Sequence, residues 1–367
     1  MPRTAETAVD ERGAAGLCSA LREKLGSGRL GAGRFLPSVR RLSEAHQLAP
    51  STVHRALKSL AAEGLISSAP RRGYRVRPPR AEAGAGAPLA FLIDVERERW
   101  DELDQALAAM LQKAAARRGC PLVTLGLPQG DPAGAVARLR EARARGAILR
   151  TADRAVIEAV AGAGLAAVTV DSWEEALDAD AVIQDGFRGA MLAAGHLAAC
   201  GHRRIAWLGY SPAGASAQVA ERLAGAVAGL ERAGRELPRE LRAEVRVEDV
   251  GALAPAAREL LSRRDRPDAV LALWQPAGQL LLRIAEELGL VAGRDFAMVG
   301  WSTAEAYELT YAPLFRAGQV QPAVVWSVEE LAAAAIARIE ERLAKPDLPP
   351  VHIRIPARLR LADTGRG

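Results

Sequence analysis

Apolar residues in the first part of this chain recur at helical spacing; further on they gather into short runs. Leu17, Leu21 and Leu25 stand four apart and predict a helix over about 14–26, which Gly26, Gly28, Gly31 and Gly33 then break. Pro37 can open a second helix, since its missing N–H is one that a first turn leaves unbonded. Leu42 and Ala45 are expected as the buried face of that helix. Gln47, Leu48, Ala49 and Pro50 read as a turn. Ser51 and Thr52 begin a third helix, with Val53, Ala56, Leu57 and Leu60 as its inward stripe. Gly64, which tolerates a left-handed backbone, ends it. Leu65–Ser67 and Tyr74–Val76 then pair as a hairpin, with Arg71, Arg72 and Gly73 near its tip.

After residue 77 the pattern changes. Residues 78–88 are rich in Pro, Gly and Ala and have no apolar period, as a linker does. Short apolar runs predict strands at 89–93, 121–125, 147–149, 166–170, 181–183, 204–209, 243–247, 268–273 and 296–299. Helices are predicted at 100–118, 131–145, 153–163, 187–200, 218–234, 253–263, 276–288 and 322–344. Alternating strands and helices imply α/β architecture, with parallel sheets covered on both faces. Ligands bind such sheets at the carboxyl ends of the strands, so the residues just after each strand matter most. The expected plan is a small module over 1–77, a linker over 78–88 and a large domain over 89–362.

Charge sharpens the division. Residues 1–80 hold 15 Lys+Arg and 6 Asp+Glu, whereas the remainder is net acidic by 4, so the overall +5 hides a basic module on a larger acidic one. Helices joined by a turn and followed by a basic hairpin have the layout of a winged helix-turn-helix. A basic patch on such a motif is the electrostatic footprint of DNA binding. Ser51, Thr52, His54, Arg55 and Lys58 are expected on the outward face of the third helix, suited to base edges and phosphates. Arg71, Arg72 and Arg75 stand beside them on the wing. The three cysteines, 18, 120 and 200, are odd in number and far apart, which points to reduced thiols in the cytoplasm. The first residues have no apolar segment of the kind a signal peptide needs, and no apolar run approaches the ~18 residues of a membrane span.

The residues Leu36-Pro37-Ser38, Arg40, Leu42, Thr52-Val53, Ala56-Leu57, Leu60, Glu63-Gly64-Leu65-Ile66 and Gly73 resemble the GntR family of bacterial repressors over about 14–77. The resemblance implies that Arg40, the start of the third helix and Gly73 lie against DNA. Two positions depart from the family pattern: Pro50 and His54 stand where arginine is usual. That bears on which operator is read.

The large domain resembles the periplasmic-binding-protein-like effector domain of LacI-family repressors over about 88–362. The motifs are Asp185 with a helix ending His196-Leu197, then Gly201–Ala206, and Glu221-Arg222-Leu223 with Gly225. Arg266–Val270, Glu287-Leu288-Gly289, Val299-Gly300 and Gln321-Pro322 follow in order. The resemblance implies two lobes joined by three crossings, expected near 201, 321 and 347. One lobe would be 88–200 plus 322–346 and the other 202–320 plus 348–362, with an effector between them. Asp185 and Arg222 match effector-contacting positions, and Gln321 is expected at a crossing. Trp274-Gln275 replaces a usual Asn-Asp, and Ser302 a usual Asp, so much of the acceptor set that clasps sugar hydroxyls is missing. Trp100, Trp173, Trp274 and Trp301 are each expected just after a strand, and their broad apolar faces suit stacking on a planar or sugar-like ligand.

These readings converge on a ligand-responsive regulator. It would bind double-stranded operator DNA as a homodimer, usually to repress, and respond to a small, sugar-like effector. Membrane association and cofactors are not expected. An enzyme is disfavoured: the only lysines after residue 80 are Lys113 and Lys345, both on predicted helices, so a Schiff-base lysine for pyridoxal phosphate is not offered. The five histidines form no metal spacing, and no catalytic motif is present. A third possibility is a DNA-binding regulator whose degenerate cleft answers to a protein partner.

Overall fold

A computed structural model describes residues 13–22, 24, 35–63, 65–69, 73–76, 86–94, 102–127, 130–151, 153–172, 179–211, 217–246, 249–316 and 319–361. The N-terminal module has helix α1 over 13–22, α2 over Val39–His46 and α3 over Pro50–Ala62. Strands β1 (Ile66–Ala69) and β2 (Gly73–Val76) pair antiparallel as the wing, and Leu36 donates its N–H to the Tyr74 carbonyl at 2.8 Å to add a short third edge. Leu17, Leu21, Leu42, Val53, Leu57, Leu60 and Ile66 form the core. The prolines act one step away from expectation. Ser38, not Pro37, caps α2 by accepting from the Arg41 N–H, while Pro50 belongs to the first turn of α3 rather than to the loop before it. Gln47 closes α2 with a left-handed backbone at φ 50°.

The large domain has two six-stranded sheets. Lobe one is built from β3 (Leu89–Asp94), α4 (Glu102–Arg117), β4 (Leu122–Leu127), α5 (Pro132–Glu141), β5 (Gly146–Arg150), α6 (Arg154–Gly162), β6 (Ala166–Val170) and β7 (Asp180–Gln184). Lobe two follows with α7 (Gly186–Ala199), β8 (Ile205–Tyr210), α8 (Ala217–Arg232), β9 (Arg242–Val245), α9 (Leu253–Ser262), β10 (Ala269–Leu271), α10 (Gln275–Glu287), β11 (Ala297–Thr303) and β12 (Ala323–Trp326). The chain then returns to lobe one for α11 (Val328–Ala344) and β13 (His352–Ile355), and ends in lobe two with β14 (Arg358–Arg360). The orders are β4-β3-β5-β6-β7-β13 and β9-β8-β10-β11-β12-β14, parallel throughout except for β14. The alternating pattern read from the sequence is thus a two-sheet parallel α/β domain.

The crossings differ from the expected positions near 201, 321 and 347. They fall at Asp185 between β7 and α7, at Ser327 between β12 and α11, and at Pro356-Ala357 between β13 and β14. Helix α7 packs on α8 and on the lobe-two strands, so it belongs to lobe two. Residues 323–326, expected as the start of a helix, are a strand beside β11. Their run Ala-Val-Val-Trp fits either state by apolarity alone, and only the free edge of β11 decides.

Asp180 anchors the final return. It accepts from Arg338 and Arg342 on α11 and from the Val351 N–H, at 2.8–2.9 Å. Burial alone would raise its pKa, but these donors outweigh that and hold the carboxyl below its ordinary range.

Candidate functional site

Two regions gather the polar residues singled out from the sequence. The first is the outer face of α3. The stripe Val53, Ala56, Leu57 and Leu60 is fully buried against α1 and α2, which turns Ser51, His54, Arg55 and Lys58 outward. Arg40 on α2 is exposed beside Glu44, to which it donates at 3.2 Å. Gly73 opens β2 with φ 96°, a backbone that disfavours any side chain. Thr52 corrects the expected outward set: it is 2% exposed. It lies four and eight residues before Ala56 and Leu60, so it falls on their face. Leu48 and the start of α1 at Gly13 lie next to it. Arg71 and Arg72 fall outside the described residues.

The second region lies where the strand ends of the two lobes meet. Arg222 on α8 is 4% exposed, and its guanidinium carbon sits 4.7 Å from the Trp274 ring centroid and 4.1 Å from that of Trp301. Its Nη1 donates to the Leu273 carbonyl at 2.6 Å, while its Nε is buried without a partner among the described residues. Desolvation pulls its pKa down to about 10, against the upward pull of Asp171. Trp274, at the start of α10, meets Trp207 and Tyr210 edge-on, each at 5.3 Å. That packing needs Gly209, since a Cβ there would lie 2.5 Å from the Trp274 ring.

From this sandwich a polar chain runs into lobe one. The Trp301 indole donates to Gln184 Oε1 at 2.9 Å, and Gln184 Nε2 donates to Asp171 Oδ1 at 2.7 Å. Gln218 on α8 also reaches across to the Asp171 carbonyl at 2.8 Å. Arg150 ties Asp171 to buried Asp104, each at 3.2 Å. Asp171 adopts φ 46°, a left-handed backbone uncommon for a residue with a side chain. Burial, sandwiched charge and unusual backbone coincide here, at the carboxyl ends of both sheets.

The bacterial regulatory protein model of the gntR family matches residues 14–76, and a periplasmic binding protein-like domain matches residues 194–364. The chain is a gntR-type regulatory module joined to a periplasmic-binding-protein-like domain. No curated protein matches it. Among solved structures it is similar to a transcriptional regulator CelR–cellobiose complex, at 20% identity and TM-score 0.66, over 87% of this chain and 92% of that one. It is also similar to a LacI-family transcriptional regulator from Enterococcus faecium with bound ribose, at 20% identity and TM-score 0.60, over 74% and 96%. A third is the Lac repressor bound to ONPG in the repressed state, at 18% identity and TM-score 0.61, over 84% and 89%. At these identities the likeness is one of fold. Among the described residues no helix is long and apolar enough to cross a membrane, and no cluster could hold a metal ion.

Within this gntR-type, periplasmic-binding-protein-like chain, the structure sorts the expected effector residues. Arg222, Trp274 and Trp301 come together. Asp185 stands at the first crossing and caps α7 by accepting from the Arg188 N–H at 3.1 Å rather than bonding Arg222, which lies against the next residue, Gly186. Ser302 is buried with its hydroxyl on the Thr303 carbonyl, and strand alternation points it away from the Trp301 face. Gln321 corrects the expectation of a crossing residue. It accepts from the Met298 N–H at the start of β11, the end remote from the cleft, because β12 begins only after it. Trp100 and Trp173 lie outside the described residues. Arg150, Asp171 and Gln184 were missed as individuals, although each stands at or just beyond the end of a predicted strand, where the strand rule pointed.

Proposed function

We propose that the chain is a ligand-responsive transcriptional repressor that binds operator DNA as a homodimer and takes a small, sugar-like metabolite between its lobes. Arg40, Ser51, His54, Arg55, Lys58 and the wing around Arg71, Arg72 and Gly73 would face the DNA. Arg222, Trp274 and Trp301 would hold the effector together with Asp185, Trp100 and Trp173. The observation that carries the effector reading is the Arg222 sandwich. A buried guanidinium with an unpartnered Nε is costly unless something completes it, and a ligand oxygen can. Ligand binding acts only through different affinity for the open and closed lobes. The change in lobe angle would alter the spacing of paired DNA modules, whose half-sites are expected about 10 bp apart or a multiple of it. The sugar class draws support from the cellobiose and ribose complexes of proteins with the same fold.

Tryptophan fluorescence during titration with sugars, sugar acids and purines tests this reading. A saturable change that Trp274→Ala removes, together with release of operator DNA, is the expected result. Unchanged ligand affinity in both Trp274→Ala and Arg222→Ala would overturn the pocket. A second reading, a cleft that answers to a protein partner, is favoured by the direct Trp301–Gln184 and Gln218–Asp171 bonds across the lobes. It predicts no heat with any small molecule in calorimetry.

A further inference from the structure

We propose that the edge of lobe one where its strands begin is a second DNA-contacting surface, gripping phosphates beyond those held by the winged module. The inference rests on the DNA reading above. Residues 117–121 and 139–146, which precede β4 and β5, hold five arginines and one glutamate. At the opposite ends of β3 and β6 the described residues include the acidic Asp94, Glu102, Asp104 and Asp171. Lobe one is therefore polarised along its strands, basic at one end and acidic at the other.

The basic end is also where the linker arrives. The Arg145 N–H donates to the Pro88 carbonyl at 2.9 Å, and the Leu89 N–H to the Pro121 carbonyl at 2.8 Å, so both arginine loops flank the first residues of β3. From Val76 to Pro88 the chain can span at most about 40 Å, which keeps this edge within reach of whatever the winged module holds. Arg117 and Arg118 are exposed but paired with Glu329 and Glu340 of α11. Arg138 is spent on the Gly126 carbonyl. Arg140 and Arg143 are exposed, and neither side chain has a hydrogen bond or ion pair with a described residue. Guanidinium groups with free forks match phosphate oxygens, and a tethered basic surface adds contacts without a second encounter in solution.

The test uses the full chain and a mixed-sequence duplex, with affinity measured by anisotropy across a salt series. The variant is Arg140→Ala with Arg143→Ala; the control is Arg239→Ala with Arg283→Ala, which removes the same charge from exposed positions of lobe two. Each phosphate contact contributes a salt slope of about 0.9, so the variant should flatten the log–log slope by about 2 and weaken binding roughly tenfold at low salt. The control should match the wild type. A variant with wild-type slope and affinity, or a control with the same loss, overturns the second surface while leaving the winged module as the DNA site. A wild-type chain that binds no duplex overturns both readings. Circular dichroism confirms that each variant is folded.

Discussion

The DNA-facing module and the inter-lobe cleft use the same residue types in opposite ways. On α2 and α3 the arginines stand in water, and their value lies in what they will meet. In the cleft, Arg150 and Arg222 are withdrawn from water, one held by two carboxylates and the other by two indoles and a carbonyl. An exposed charge costs the fold little and can be changed without harm to it. A buried one is bound up with stability, so its removal reads out in folding as well as in function.

The sharpest test of that contrast is Arg150→Met. It strands Asp104 and Asp171 without their cation, and should cost about 3–5 kcal/mol in denaturant unfolding of the large domain. A loss below 1 kcal/mol would mean that water already solvates those carboxylates.

Arg222→Met should have the opposite sign. Among the described residues no carboxylate lies within bonding distance of its guanidinium, so an apolar chain of similar length should raise stability by about 1–3 kcal/mol while abolishing the effector response. The pH dependence follows. With its pKa lowered to about 10, folded Arg222 releases its proton before the unfolded chain does. Its penalty is therefore full at neutral pH and shrinks as pH rises through that value. The stability difference between Arg222→Met and wild type should narrow above pH 10 in parallel melts.

In the winged module the pattern should invert. Arg40→Ala and Arg55→Ala are each expected to weaken operator binding by roughly 1–3 kcal/mol and leave the melting temperature unchanged. Thr52→Ala, on the buried face, should instead cost about 1–2 kcal/mol of module stability and affect DNA only through folding. A footprint fully retained by Arg40→Ala would remove that residue from the contact set.

The smallest effect belongs to Gly73→Ala. Open space surrounds the position, so the φ of 96° supplies the only strain, on the order of 1 kcal/mol. A loss much greater than that in a thermal melt would point to contacts around the wing that the strain alone does not explain.

Much of this was legible before folding. Nine strands and the core stripe of α3 follow from period and length, and the gntR-type pattern from residues close in sequence. Thr52 was legible too, since the spacing 52, 56 and 60 places it on the inward face; reading it by its hydroxyl rather than its position turned it outward. The polarity of lobe one was also present in the sequence, but gained meaning only once the strand starts at 89, 122 and 146 shared an edge.

What the sequence determined by itself was local: which segments are periodic, where the basic charge concentrates, and which residues follow strands. Those properties depend on neighbours a few positions away. The tertiary structure decided the three crossings, the strand state of residues 323–326, the remoteness of Gln321 and the enclosure of Arg222 between Trp274 and Trp301. Each of these depends on groups far apart in the chain. A run such as Ala-Val-Val-Trp becomes a strand when a parallel neighbour offers its open edge, and an arginine gives up its water only when the packing of two distant indoles encloses it.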